Sequence, residues 1–115
     1  MPRLKTKGRF ARWGVSAPVF AALGDETRLE LVARLCTGGP RSITGLTEGS
    51  TVTRQAITKH LHVLASAGLV RDVRHGRERL WEVETGGLSE ARRCLEEISR
   101  QWDSALARLR ELVEG

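Results

Sequence analysis

Between Thr53 and Trp81 the periodicity of the chain changes once, from helical to alternating, and the change falls at a single glycine. Ala56, Ile57, Leu61, Leu64 and Ala65 recur at intervals of three and four, so they share one helix face, and that face is the one to be buried. Thr53 carries the short oxygen-bearing side chain that accepts from first-turn N–H groups. It predicts an N-cap for a helix running to about Ala67, with Gly68 as the left-handed residue beyond its end. Two β-like runs follow, Leu69 to Arg74 and Glu78 to Glu84, around His75, Gly76 and Arg77, where the glycine supplies the positive φ of a tight hairpin. In the second run Leu80, Glu82 and Glu84 alternate with Arg79, Trp81 and Val83.

The flanking segments read as helices. Ser16 and Pro18 predict the start of a short helix through Val19, Phe20 and Leu23, ended by Gly24. Asp25 predicts the cap of a helix from Thr27 to Cys36 whose apolar face is Leu29, Val32, Ala33 and Leu35, stopped by Gly38, Gly39 and Pro40. Ser42 caps a third, shorter helix holding Ile43 and Leu46, and Gly49 and Ser50 turn the chain into the Thr53 helix. Ser89 predicts the cap of a long last helix, to about Val113. There Leu95, Ile98, Trp102, Leu106, Leu109 and Leu112 or Val113 form an apolar stripe longer than so small a domain can cover. That stripe, with Phe20 of the first helix, is expected to pack against a second copy of the chain.

At 115 residues the chain suits a single domain, expected over residues 16–115 behind a basic arm over 1–15. The net charge of +5 is uneven. Arg3, Lys5, Lys7, Arg9 and Arg12 stand without an acid among them, and between residues 54 and 79 six Lys or Arg face only Asp72 and Glu78. Charge concentrated in this way suits an anionic partner, because each phosphate neutralised releases condensed counterions. No apolar run approaches membrane-spanning length and no signal-peptide core is visible, so a cytoplasmic protein without a membrane partner is expected. Cys36 and Cys94 lie far apart and outside any zinc-ligand spacing, which suits reduced thiols.

Three helices followed by a β-hairpin is the order of a winged helix-turn-helix: mainly α, about five helices with a two-stranded wing, its third helix entering the DNA major groove. On the polar face of the Thr53 helix, Arg54 and Gln55 are expected at base edges, arginine for guanine and glutamine for adenine. Thr53, Thr58, Lys59 and His60 are expected at phosphates, although His60 lies between the polar and apolar faces. Arg74, His75, Arg77 and Arg79 surround the glycine turn in an arrangement suited to phosphate or minor-groove contact.

Three strings then resemble the arsenic-repressor (ArsR/SmtB) family of bacterial regulators: Phe20-Ala21-Ala22-Leu23-Gly24-Asp25-Glu26-Thr27-Arg28-Leu29, Thr53-Arg54-Gln55-Ala56-Ile57-Thr58-Lys59-His60-Leu61, and Leu64-Ala65-Ser66-Ala67-Gly68-Leu69-Val70. The resemblance runs from about Val19 to Val113. It implies a homodimer built on the first and last helices, binding an inverted-repeat operator in double-stranded DNA and repressing its own operon, with the Thr53 helix as the reading head.

The sensor half of the family pattern departs. Relatives that sense metals use cysteines before the reading helix or Asp, His and Glu on the last helix. Here the first stretch is Ser42, Ile43 and Thr44, and Asp103 on the last helix has no histidine near it. Neither a metal nor another cofactor is expected, and no inducer can be named. Trp102, with Leu95 and Ile98, resembles a branch without metal ligands, although as a residue it reads as interface core before ligand pocket. An enzyme is not expected, for want of a nucleophile beside a base, clustered carboxylates or a phosphate-cradling loop. Two alternatives stay open: a protein-interaction module using the last helix, and a thiol-sensing regulator using Cys36 and Cys94.

Overall fold

Asp25, Ser42 and Thr53 each start a helix by the same local device. Asp25 Oδ2 accepts from Arg28 N at 3.0 Å, Ser42 Oγ from Gly45 N at 3.1 Å and Thr53 Oγ1 from Ala56 N at 3.2 Å, as their spacing predicts. The computed structural model describes residues 11–115, with side chains from Ser16 onward, and the expected basic arm falls for its first ten residues outside that range. Its elements are α1 (Ala11–Leu23), α2 (Glu26–Gly38), α3 (Ile43–Thr47), α4 (Arg54–Ser66), β1 (Val70–His75), β2 (Glu78–Val83) and α5 (Thr85–Glu114). Among the described residues, five helices and a two-stranded antiparallel hairpin make the winged helix-turn-helix.

The core is assembled from one face of each element: Val19 and Ala22 of α1, Leu31, Val32 and Leu35 of α2, Leu46 of α3, Ile57, Leu61 and Leu64 of α4, then Leu69, Val70, Trp81 and Ala91. On α4 this is the predicted stripe. On α2 it is rotated: Leu31 is buried, whereas Leu29 and Ala33 are exposed. Leu31, Val32 and Leu35 share the side of α2 that packs on α4 and β2, and tertiary packing selects that side over the one marked by Leu29. Arg34 of α2 reaches the end of the five-residue α3, donating to the carbonyls of Leu46 at 2.7 Å and Gly45 at 3.2 Å, which satisfies acceptors that so short a helix leaves open.

The ends of the outer helices also differ from expectation. α1 begins at Ala11, upstream of Ser16, and Pro18 lies inside it. Ser16 is no cap: it is fully buried, and its hydroxyl donates to Glu90 O on α5 at 3.4 Å. α5 begins at Thr85, four residues before Ser89, because Gly87 N donates to Gly68 O at 3.1 Å and ties the first turn of α5 to the end of α4. The strands pair from Val70↔Val83 to His75↔Glu78, so the turn is two residues, Gly76 and Arg77, with Gly76 at φ 61. Val70, Trp81 and Val83 share the face against the helices. Trp81 also exchanges both backbone hydrogen bonds with Arg41, at 3.0 and 2.7 Å, which fixes the hairpin to the segment between α2 and α3.

Candidate DNA-binding surface

α4 turns Ile57, Leu61 and Leu64 inward, so the opposite side of the helix is left to Gln55, Lys59 and His62. Gln55 and Lys59 are exposed, one turn apart, and make no hydrogen bond or ion pair among the described residues. Thr53 is exposed with its oxygen occupied by the cap. Thr58 is half-buried and donates back to Arg54 O at 2.9 Å, so its hydroxyl keeps only acceptor capacity. Arg54 lies back across α3, donating to Thr44 Oγ1 at 3.1 Å. That carries its guanidinium toward a cleft of about 510 Å³ between α3 and β2, where Ser42, Thr44, Arg79 and Trp81 stand. His60 is turned the other way, with Nδ1 3.3 Å from Arg28 Nη1 and 3.9 Å from Asp25 Oδ2.

The wing carries the second cluster. Arg79 pairs with Asp72 at 3.3 Å and Arg71 with Glu82 at 3.3 Å, both exposed enough for water to screen them. Arg74, His75 and Arg77 at the tip are exposed and make no ion pair among the described residues. Arg74 stands directly opposite Arg79 in the ladder, a like-charge pair that costs stability until an anion neutralises it. His62 links the two clusters, its ring 5.9 Å from that of Trp81 at 45°. α4 and the wing thus form one surface with an excess of positive charge.

Sequence reasoning missed three participants: Arg28, Thr44 and His62. Each takes its role from a residue remote in the chain, so no local spacing marks it. The carboxylate of Asp25 is held below its ordinary value of 3.8, first by the backbone N–H of Arg28 and then by the guanidinium charge of Arg28, against the opposing push of burial.

On the far side, α1 and α5 leave an apolar groove of about 680 Å³ lined by Phe20, Leu23, Leu88, Ala91 and Leu95. Ile98 is half-buried, and Leu95, Trp102, Leu106 and Leu109 are exposed, Trp102 by 66%. Cys94 is buried, Cys36 is exposed at the end of α2, and both are free thiols. Among the described residues no three His, Cys, Asp or Glu side chains stand together as a metal would need, and no helix is long and apolar enough to cross a membrane.

Comparison with known proteins agrees with this geometry. A helix-turn-helix domain family matches residues 23–73. An HTH-type transcriptional regulator of Mycobacterium tuberculosis is 34% identical over 94 residues, which cover 82% of this chain and 84% of the relative. The arsenical resistance operon repressor of Bacillus subtilis is 32% identical over 78 residues, covering 65% of this chain and 74% of the relative. Among solved structures, an ArsR-like transcriptional regulator from Rhodococcus superposes with a TM-score of 0.76 at 38% identity, covering 89% of this chain and 95% of that one. A winged helix-turn-helix domain from Mycobacterium bovis, described as homodimeric, shares the fold with a TM-score of 0.61 at 22% identity over 87% of this chain and 91% of its own. With an exposed polar face on α4 and a cationic wing on a matching fold, the chain belongs to the ArsR family of DNA-binding winged helix-turn-helix transcriptional regulators.

Proposed function

We propose that this protein is a homodimeric repressor of its own operon, acting in the cytoplasm on an inverted-repeat operator in double-stranded DNA. The observation that carries the reading is the pairing of two exposed surfaces that make no ion pair among the described residues: Gln55 and Lys59 on α4, and Arg74, His75 and Arg77 on the wing. Gln55 is the base-reading residue, with Lys59 beside it. Arg54, drawn toward Thr44, is a phosphate clamp in this arrangement, joined by Thr53 and Arg79, whereas the Thr58 hydroxyl has spent its proton on Arg54 O. His60 is engaged with Arg28 and contributes to the position of α4. The second copy covers the α1–α5 groove and the exposed Trp102 stripe, an apolar surface too continuous for a solvated face. The homodimeric Mycobacterium bovis domain and the operon repressor of Bacillus subtilis support these two assignments by likeness.

The test is titration of the purified protein against its own upstream DNA and an unrelated duplex at several salt concentrations. The reading requires a clear preference for the upstream DNA. Gln55→Ala removes a bidentate base contact, so it should lower operator affinity by about 1–3 kcal/mol and leave the unrelated duplex alone. Arg77→Ala should weaken both duplexes alike and flatten the salt slope by about one unit. Equal affinity for both duplexes in the parent protein contradicts the proposal.

A further inference from the structure

One planar group joins three helices. Arg28 Nε donates to Ala22 O at 2.6 Å and its Nη2 to Ala21 O at 3.4 Å, so the guanidinium closes the C-terminal end of α1 with a positive charge at the negative pole of that helix. Its Nη1 lies 3.3 Å from His60 Nδ1, in the middle of α4. Arginine has no acceptor, so this contact makes Nδ1 the acceptor and leaves the imidazole proton on Nε2. The backbone of Arg28 is held in turn by Asp25 Oδ2 at 3.0 Å, the carboxylate oxygen that stands 3.9 Å from His60 Nδ1.

Beside this cluster the packing of α1 against α4, which share the buried core, opens at the surface. A cleft of about 340 Å³ lies between them, walled by Pro18, Ala21, Ala22, Val63, Ala67 and the Arg28 side chain itself. Small side chains across a cleft resist sliding weakly. A rigid fork with three nitrogens bonded on two helices resists both sliding and rotation, because its bonds share one plane. Arg28 therefore adds directional bonds to the apolar core that α1 and α4 share, at the edge where that core gives way to the cleft.

Taking α4 as the reading helix and α1 with α5 as the dimer face, as proposed above, we propose that Arg28 is a positioning residue that sets the angle between dimer face and reading helix. It thereby fixes the separation of the two reading heads in the homodimer. A symmetric dimer recognises two half-sites whose spacing mirrors the separation of its heads. When α4 is loosened against α1, the first property lost is discrimination between half-site spacings. The guanidinium performs this role through α1 and His60 and makes no DNA contact of its own.

The experiment first selects the preferred operator of the full-length protein from a random duplex pool. The protein is then titrated against that operator and against versions with the spacer one base pair shorter or longer. The readout is the ratio of affinities between native and altered spacers, which does not depend on absolute affinity. The parent is expected to prefer the native spacer by about tenfold or more, the scale of an ordinary coupling between sites. Arg28→Lys keeps the charge without the planar fork, and His60→Leu removes only the α4 arm of the bridge. Each should reduce the ratio to about threefold or less while sedimentation still finds a dimer, and the double variant should fall no further than either single one. An unchanged ratio in both single variants overturns the proposal, as does a uniform loss on all spacers, which is the signature of simple destabilisation. So does a parent protein indifferent to the spacer. A parent that cannot select any operator defeats the reading of α4 on which the inference rests.

Discussion

α5 starts against the end of α4, and Gly87 is the point of contact. A Cβ placed on Gly87 would lie 2.6 Å from Gly68 O and 2.9 Å from both Ala67 O and Gly68 C. These are backbone atoms and cannot swing aside. Gly68 is held at φ 75, and its carbonyl accepts from Gly87 N at 3.1 Å. Gly87→Ala must therefore push the first turn of α5 outward by several tenths of an ångström. Overpacking of this kind costs about 1–3 kcal/mol. The stretched hydrogen bond costs about 1 kcal/mol more, and the better helix propensity of alanine returns about 0.5–1 kcal/mol. The net loss is about 1–3 kcal/mol, and at about 4–8 °C per kcal/mol for a domain of this size Tm should fall by about 4–24 °C. Gly86 is the control, since a Cβ there meets nothing within 4 Å. Gly86→Ala gains propensity without the clash and should melt at or slightly above the parent. Thermal melts followed by circular dichroism decide the matter, run at one protein concentration because any self-association makes Tm depend on it. If the two variants melt together, or Gly87→Ala melts higher, close approach of α5 to Gly68 is not what demands a glycine.

Two further predictions address other parts of the molecule. Trp102→Ala combined with Leu106→Lys removes apolar area and adds charge in the exposed stripe of α5, so sedimentation equilibrium should show a monomer while the far-ultraviolet spectrum stays helical; an unchanged dimer mass would place the interface elsewhere. Asp25 is held below its ordinary 3.8 chiefly by the Arg28 N–H, so its stabilising effect is complete above about pH 4 and is lost as the pH falls from there through the lower folded value. Asp25→Asn still caps α2 but does not titrate, so the stability gap between parent and variant should narrow below about pH 4; a gap constant from neutral to strongly acid solution would refute the assignment.

The features legible in the sequence are those decided within a few residues. The caps at Asp25, Ser42 and Thr53 depend on an oxygen reaching an N–H three residues on, and Gly68 and Gly76 adopt the positive φ that their positions demand. The stripes of α4 and α5 are legible because periodicity alone fixes which residues share a face. What failed was decided at a distance. Ser16 has the chemistry of a cap and is buried against Glu90, 74 residues away. Ser89 has it too, yet α5 starts four residues earlier, where Gly68 holds Gly87. Leu29 is as apolar as Leu31, and only the placement of α4 and β2 decides which of them is covered.

The same division runs through the binding surface. Charge and exposure identify a polar face on α4 from the sequence, but they do not say where a long side chain goes once it has neighbours. Arg54 and His60 sit near the start and the middle of that helix, and both look available to DNA. Thr44, ten residues away from Arg54, draws its guanidinium toward the wing, and Arg28, 32 residues from His60, draws the imidazole toward α1. Among the described residues Gln55 and Lys59 have no such neighbour, and the wing tip has none. On the function proposed above, the residues left uncommitted by the fold are the ones that read bases, and those the fold has engaged set the geometry in which they are read. A specificity change should therefore follow from Gln55 or Lys59, and a change in operator architecture from Arg28 or His60.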